Sequence, residues 1–176
     1  MIWLSNSTVA RLRDQLRTRG QRPSIALGDA SKVDPGATEL AVVSAEYGPI
    51  CEIMYLMMSA DGKISSQERE VLKGALRNLS DDAVRSVHID TMLDQAAAAV
   101  AAQGRDVRLQ AAIEPLREDP ARAEVAFVLA AAIAFADSAI ADEENETLNE
   151  LAEGLGIDEQ RADKLLDDVE GDLGRR

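Results

Sequence analysis

The chain has 176 residues, enough for one well-buried core, with a formal charge of −13 and only 3% aromatic residues. That balance excludes a general nucleic-acid binder, which needs clustered Lys and Arg against phosphate, and the scarcity of aromatics beside plentiful Ala, Leu and Glu suits packed helices better than sheets. A single cysteine, Cys51, and a single histidine, His88, exclude an internal disulfide, a thiolate cluster and most zinc or di-iron designs.

The opening "MIWL" is too short for a secretory apolar region, and polar Ser5 and Asn6 follow at once. Ser7 to Arg19 predicts a helix with Val9, Leu12 and Leu16 on one stripe and Arg11, Arg13, Arg17 and Arg19 around it. "GQRPSIALGDASKVDPGAT" then collects Gly, Pro, Ser and Asp and reads as a linker. Residues 1–36 carry six basic and three acidic side chains, so the remainder carries −16. Residues 1–36 are therefore read as a mobile basic helix and linker, and residues 37–176 as the helical domain. The basic helix suits either an anionic partner or membrane face, or docking onto the protein's own acidic body.

From Thr38 on, every signal is helical. Thr38 is the expected N-cap of a helix ending near Ala60, with a break or kink at Gly48-Pro49. Its second part, "ICEIMYLMMSA", is apolar on nearly every face and predicts a buried central helix. Ser65 caps a helix with Val71, Leu72, Ala75, Leu76 and Leu79 inward; Ser80 and Asp90 are further cap candidates. Leu109, Ala112, Ile113 and Leu116 form another stripe. Asp119 caps a helix with Pro120 at its first position, opening the second buried rod, "ARAEVAFVLAAAIAFA". Its most apolar run, Val125 to Ala136, falls short of the roughly 20 residues that span a bilayer. A helix from about Asp142 carries Leu148, Leu151, Ala152 and Leu155, with Gly154 and Gly156 bracketing its end. Asp158 caps the last, with Ala162, Leu165, Leu166 and Val169 inward. The expected fold is all-α, a compact bundle of about eight helices, in a cytoplasmic chain without a membrane span.

A shift of 76 residues places "ADGKISSQEREVL" (60–72) on "ADSAIADEENETL" (136–148). Each copy follows an apolar rod and precedes an amphipathic helix, so the bundle contains a helix-turn-helix duplication, expected to pack about a local twofold axis. The positions have physical reasons. Gly62 permits a positive φ at the helix end, Ile64 can plug between the two helices, and Ser65 with Glu68 forms a Ser-x-x-Glu capping box. Asp61 can accept from loop N–H groups.

Asp61-Gly62 and Glu68 also look like the back half of an EF-hand loop. The front ligand positions of such a loop fall on Met57 and Ser59 in the first copy, and on Ile133 and Phe135 in the second, where Ser138 replaces the Gly. A calcium loop needs acidic or amide oxygens there, so neither copy is an EF-hand.

The apolar helix ending in Ala-Asp-Gly-x-Ile-Ser-x-x-Glu, repeated as "AFADSAIADEENETLNELAEGLGI", resembles the TerB-like family named for tellurite resistance, over roughly residues 38–170. The resemblance implies a compact all-α protein with an acidic patch and a link to divalent cations and stress responses. By that resemblance the acidic motif positions are Asp61 and Glu68 in the first copy and Asp137 and Glu144 in the second. Ser138 for Gly and Ala141 for the capping Ser make the second turn degenerate.

Two readings of these four carboxylates stand side by side. In one they stabilise turns and helix starts, where a carboxylate gains about 0.3–1 kcal/mol from the helix dipole. In the other they converge on a weakly held divalent cation, calcium or magnesium, which would need several oxygen ligands, with Asp142, Glu143 and Glu146 nearby. A third use of the acidic surface is an adaptor's contact with a basic protein partner, through Glu143, Glu144, Glu146 and Glu150. No nucleophile–base pair, phosphate loop or cofactor motif is present, so the expected function is non-enzymatic.

Overall fold

The computed structural model describes residues 6–18, 35–59, 64–135 and 142–173. Among these, eight α-helices follow one another and no strand occurs: α1 (Asn6–Thr18), α2 (Pro35–Met58), α3 (Ser66–Leu79), α4 (Ser86–Gln103), α5 (Arg105–Ile113), α6 (Pro120–Ala134), α7 (Asp142–Leu155) and α8 (Glu159–Leu173), with a 3-10 turn at Glu114–Leu116 after α5. The all-α bundle expected from the periodicity is the observed fold.

The two apolar rods are the centre of the molecule. On α2, Ile50, Cys51, Ile53, Met54, Tyr55, Leu56 and Met57 are all buried; on α6 the burial is unbroken from Val125 to Ala132. With no polar face to turn outward, each rod must be covered all round. α2 is covered by α4, α5 and α6, and α6 by α2, α7 and α8. By length and composition the segment Thr38–Met58 could cross a membrane. It carries Glu39, Glu46 and Glu52, however, and here it is the core helix of the bundle.

Three expectations are corrected, one for a local reason and two by tertiary contacts. α2 begins at Pro35, so Thr38 lies in its first turn; Pro fits the first helical position because its missing N–H has no intrahelical partner to lose. Pro49 does not break α2, which runs for 24 residues. Proline at 49 removes the N–H that the Ala45 carbonyl would accept from. The Arg122 guanidinium of α6 takes that role, donating from Nη2 to the Ala45 oxygen at 3.1 Å and also to the Glu46 oxygen. Arg122 lies 76 residues after Glu46, the same interval that separates the two acidic motifs. Asp90 is not a cap but sits inside α4, whose N-cap position is Arg85 without a side-chain bond. Ser80 ends α3, donating to the Arg77 oxygen at 3.1 Å and accepting from the Val84 N–H at 3.2 Å.

Other local signals act as read. Asp119 accepts from the N–H groups of Ala121 and Arg122, and Asp158 from that of Arg161 at 2.9 Å. Gly156, at φ +72°, ends α7: its N–H donates to Glu153 O and that of Ile157 to Ala152 O, a Schellman closure. Gly154 serves close packing, since a Cβ there would lie 2.9 Å from Ile113 Cδ1.

The basic helix α1 is docked. Val9 and Leu12 are buried in the same cluster that reaches Val169 on α8, and α1 packs on α3, α6 and α8. Arg13 reaches Asn78 and stands 3.9 Å from Asp81. Of the two uses weighed for this helix, docking on the protein's own body is the one observed.

Candidate functional site

The duplicated corners lie between helices, as the repeat requires: α2 ends at Met58 and α3 starts at Ser66, while α6 ends at Ala134 and α7 starts at Asp142. Asp61 and Asp137 lie outside the described residues. Glu144 falls in the first turn of α7, with its side chain outside the description.

Glu68 is the candidate ligand whose environment is visible. Its Oε2 accepts from the Ser65 N–H at 2.6 Å, while the Ser65 Oγ accepts from the Glu68 N–H at 3.2 Å. This is the reciprocal capping box, satisfying two N–H groups that the helix start leaves over. Ile64, at the same corner, packs partly buried against the core. Ser59, which follows the end of α2, is buried, and its Oγ has no hydrogen-bond partner among the described residues. The buried, unpartnered Ser59 hydroxyl is a neutral oxygen of the kind a hard cation accepts, although the capping box already occupies one oxygen of Glu68. Among the described residues, no three His, Cys, Asp or Glu side chains come together as a metal-binding group.

Beyond Glu68, Arg69 and Lys73 of α3 form ion pairs with α4, while Arg77 pairs with Asp82 in the turn between the two helices. Arg69 donates from Nε to Asp90 Oδ1 at 2.9 Å and from Nη2 to Asp94 Oδ1 at 2.8 Å; Lys73 reaches Glu70 at 2.8 Å and Asp90 at 3.2 Å. The hydrogen bond from Arg69 holds the Asp90 carboxyl below the usual carboxylate range, and Lys73 adds to it. Asp90, read from sequence as a cap, is therefore the hub of an interhelical cluster.

The surface of α7 and α8 is unlike this. Residues 142–173 contain thirteen acidic and two basic side chains. Glu146, Glu150, Glu153, Glu159, Asp163 and Asp167 are exposed along α7 and α8. Of the two basic residues, Arg161 is committed to a bidentate pair with Glu124 of α6, at 2.8 and 2.7 Å.

The lone Cys51 and His88 are both packed inside. Burial pushes the Cys51 thiol up to about 12, with the Glu52 charge adding to the effect. His88 is buried with Nε2 at 3.1 Å from an Arg85 guanidinium nitrogen.

Sequence reasoning missed a cleft of about 320 Å³ between α2, α4 and α5. Its walls include Gly48, Pro49, Ala96, Ala99 and Ala111, with Glu52 and Arg108 as charged members. The signal was the small residues opposite Gly48-Pro49, which reads as a concavity only once three helices are placed together.

A family model described as "Tellurite resistance protein TerB" matches residues 50–167, from the buried half of α2 to α8, and so more than half of the chain. No match is found among curated proteins or among solved structures. With both acidic motifs, the buried half of α2 and all of α6 inside the matched span, the chain belongs to the TerB family.

Proposed function

We propose that this TerB protein works without turning over a substrate, in the cytoplasmic response to tellurite or a related stress, by holding a divalent cation weakly at its duplicated acidic corners. Asp61 and Glu68 of the first copy and Asp137 and Glu144 of the second are the candidate ligands, and calcium or magnesium the candidate ion. The duplication carries this reading: the same carboxylate pair recurs 76 residues later, between a buried rod and an amphipathic helix, inside the family match. The orphaned Ser59 hydroxyl beside the first corner supports it. The non-enzymatic part is supported by the buried thiol of Cys51, whose raised pKa leaves almost no thiolate at neutral pH. Bound there, the ion would supply positive charge to an acidic surface.

Calorimetry with Ca²⁺, Mg²⁺, Mn²⁺ and Zn²⁺ on the purified chain tests the reading. Heat of binding and a raised melting temperature, both lost in an Asp61→Asn, Asp137→Asn double variant, are expected. No heat and no melting shift at millimolar ion would overturn it.

A second reading is favoured by the exposed carboxylates of α7 and α8: an adaptor that holds a basic protein segment without metal. Complementary charge of that kind gives fast, salt-sensitive capture. Its mark is retention of a basic partner in the presence of chelator, lost as ionic strength rises; capture unaffected by salt would contradict it.

A further inference from the structure

The cleft between α2, α4 and α5 is lined by residues that lie outside the acidic motifs, and its chemistry is specific. Its volume of about 320 Å³ sits at the small end of ligand pockets. Met92, Ala96, Ala112 and Pro49 give apolar lining, while Ser44, Gln95, Glu52 and Arg108 supply polar groups. Gly48 contributes open space: a Cβ placed there would meet only Ser44 Cβ, at 4.0 Å. Glycine also relieves the clash that a larger residue has before a helical proline, so one sequence feature shapes both the helix and the hollow beside it.

The two charges in the wall cancel. Arg108 donates from Nε to Glu52 Oε1 at 2.6 Å and from Nη2 to Oε2 at 2.8 Å, a bidentate pair with the Glu52 side chain only 12% exposed. The hydrogen bonds that Arg108 donates to Glu52 raise the Arg108 pKa further. An anionic ligand would have to displace Glu52, and a cationic one Arg108, leaving a nearly buried charge without its partner. A neutral polar group avoids that cost. It can accept from the guanidinium N–H groups left by Glu52 and by Gln103, whose Oε1 accepts from Arg108 Nη1 at 3.3 Å, and donate to a carboxylate or side-chain amide oxygen.

From the net-neutral wall, the apolar lining and the room above Gly48, we infer that this cleft binds a small uncharged amphiphile, an apolar body with an amide or hydroxyl end. Recognition needs no metal and no contact with either acidic corner.

The test is a two-dimensional NMR titration of the full chain, in chelator, with three probes that share one apolar body: indole-3-acetamide, indole-3-acetate and tryptamine. The amide should bind with an affinity on the order of millimolar, as its few non-hydrogen atoms allow, and shift the amide signals of Gly48, Glu52, Ala99 and Arg108. The charged probes should bind at least about tenfold more weakly, the cost of an unpaired charge. Ala99→Leu and Ala111→Leu add bulk at partly or fully exposed wall positions with little change in helix propensity. Both should abolish the amide's shifts while leaving the melting temperature nearly unchanged. Equal binding of the charged probes, shifts scattered away from the cleft, no shifts with any probe, or binding indifferent to both leucines would each overturn the inference. The presence of chelator keeps this result separate from the fate of the cation reading.

Discussion

The two copies of the repeated hairpin share a scaffold and differ in what they do with charge. In the first, α3 has two acidic and three basic residues, and Arg69 and Lys73 lock it to Asp90 and Asp94 of α4. In the second, α7 has six acidic residues and no basic one, and a hydrogen bond from Gln110 to Glu150 ties its surface to α5. The cap follows the same division: Ser65 closes a capping box at α3, and Ala141 stands where the second copy would need that serine. Duplicating a hairpin supplies two chances to solve the packing problem. Here the core positions are kept in both copies, while the surface of one is neutralised and that of the other left strongly acidic.

The sharpest way to break this comparison is at the shared core. Leu72 and Leu148 are repeat partners and both are buried, 0% and 2% exposed. Leu72→Ala and Leu148→Ala should each lower unfolding stability by about 2–5 kcal/mol in denaturant melts. A loss under about 1 kcal/mol at either site would mean that the copies do not share one packing scheme.

Next in size is the contact between the rods. Arg122→Met keeps the aliphatic stem but removes the donors that serve the Ala45 and Glu46 carbonyls. A loss of about 1–3 kcal/mol is expected, and in a Pro49→Ala background, where the helix regains its own N–H, the loss should shrink.

The caps give a smaller, two-way test. Ser65→Ala should cost about 0.5–2 kcal/mol, and Ala141→Ser, which writes Ser-x-x-Glu ahead of Glu144, should raise stability by a fraction of that range. An unchanged melting temperature in the first case would remove the capping role from Glu68's neighbourhood.

The smallest effect is the α3–α4 ion pairs. Asp90→Asn should cost under about 1 kcal/mol at pH 7, because the carboxylate is partly exposed and screened. The sign with pH is fixed by the lowered Asp90 pKa: its contribution is present above the unfolded value of about 3.9 and lost as pH falls through the lower folded value. Wild type and variant should therefore converge in acid, which parallel unfolding curves at pH 7 and below pH 4 would reveal.

Much of this fold was legible because its signals are local. The caps at Ser65, Asp119 and Asp158, the closure at Gly156 and the two rods apolar on every face depend on neighbours a few residues away. The errors fall where the partner is distant. Pro49 reads as a breaker until Arg122, 73 positions later, supplies the missing donor. Asp90 reads as a cap until Arg69 and Lys73 claim it. The site was legible only as a list of carboxylates: Glu68's place in a capping box follows from its spacing, but the Ala-lined cleft has no local signature at all.

The account turns on whether the corners, and not the helix faces at large, take up a cation. A two-dimensional NMR titration of the isotope-labelled chain with Ca²⁺ and Mg²⁺ reads this residue by residue. Saturable shifts concentrated at residues 59–68 and 136–144 are predicted. Shifts spread evenly over the exposed carboxylates of α7 and α8, or none at millimolar ion, would contradict it.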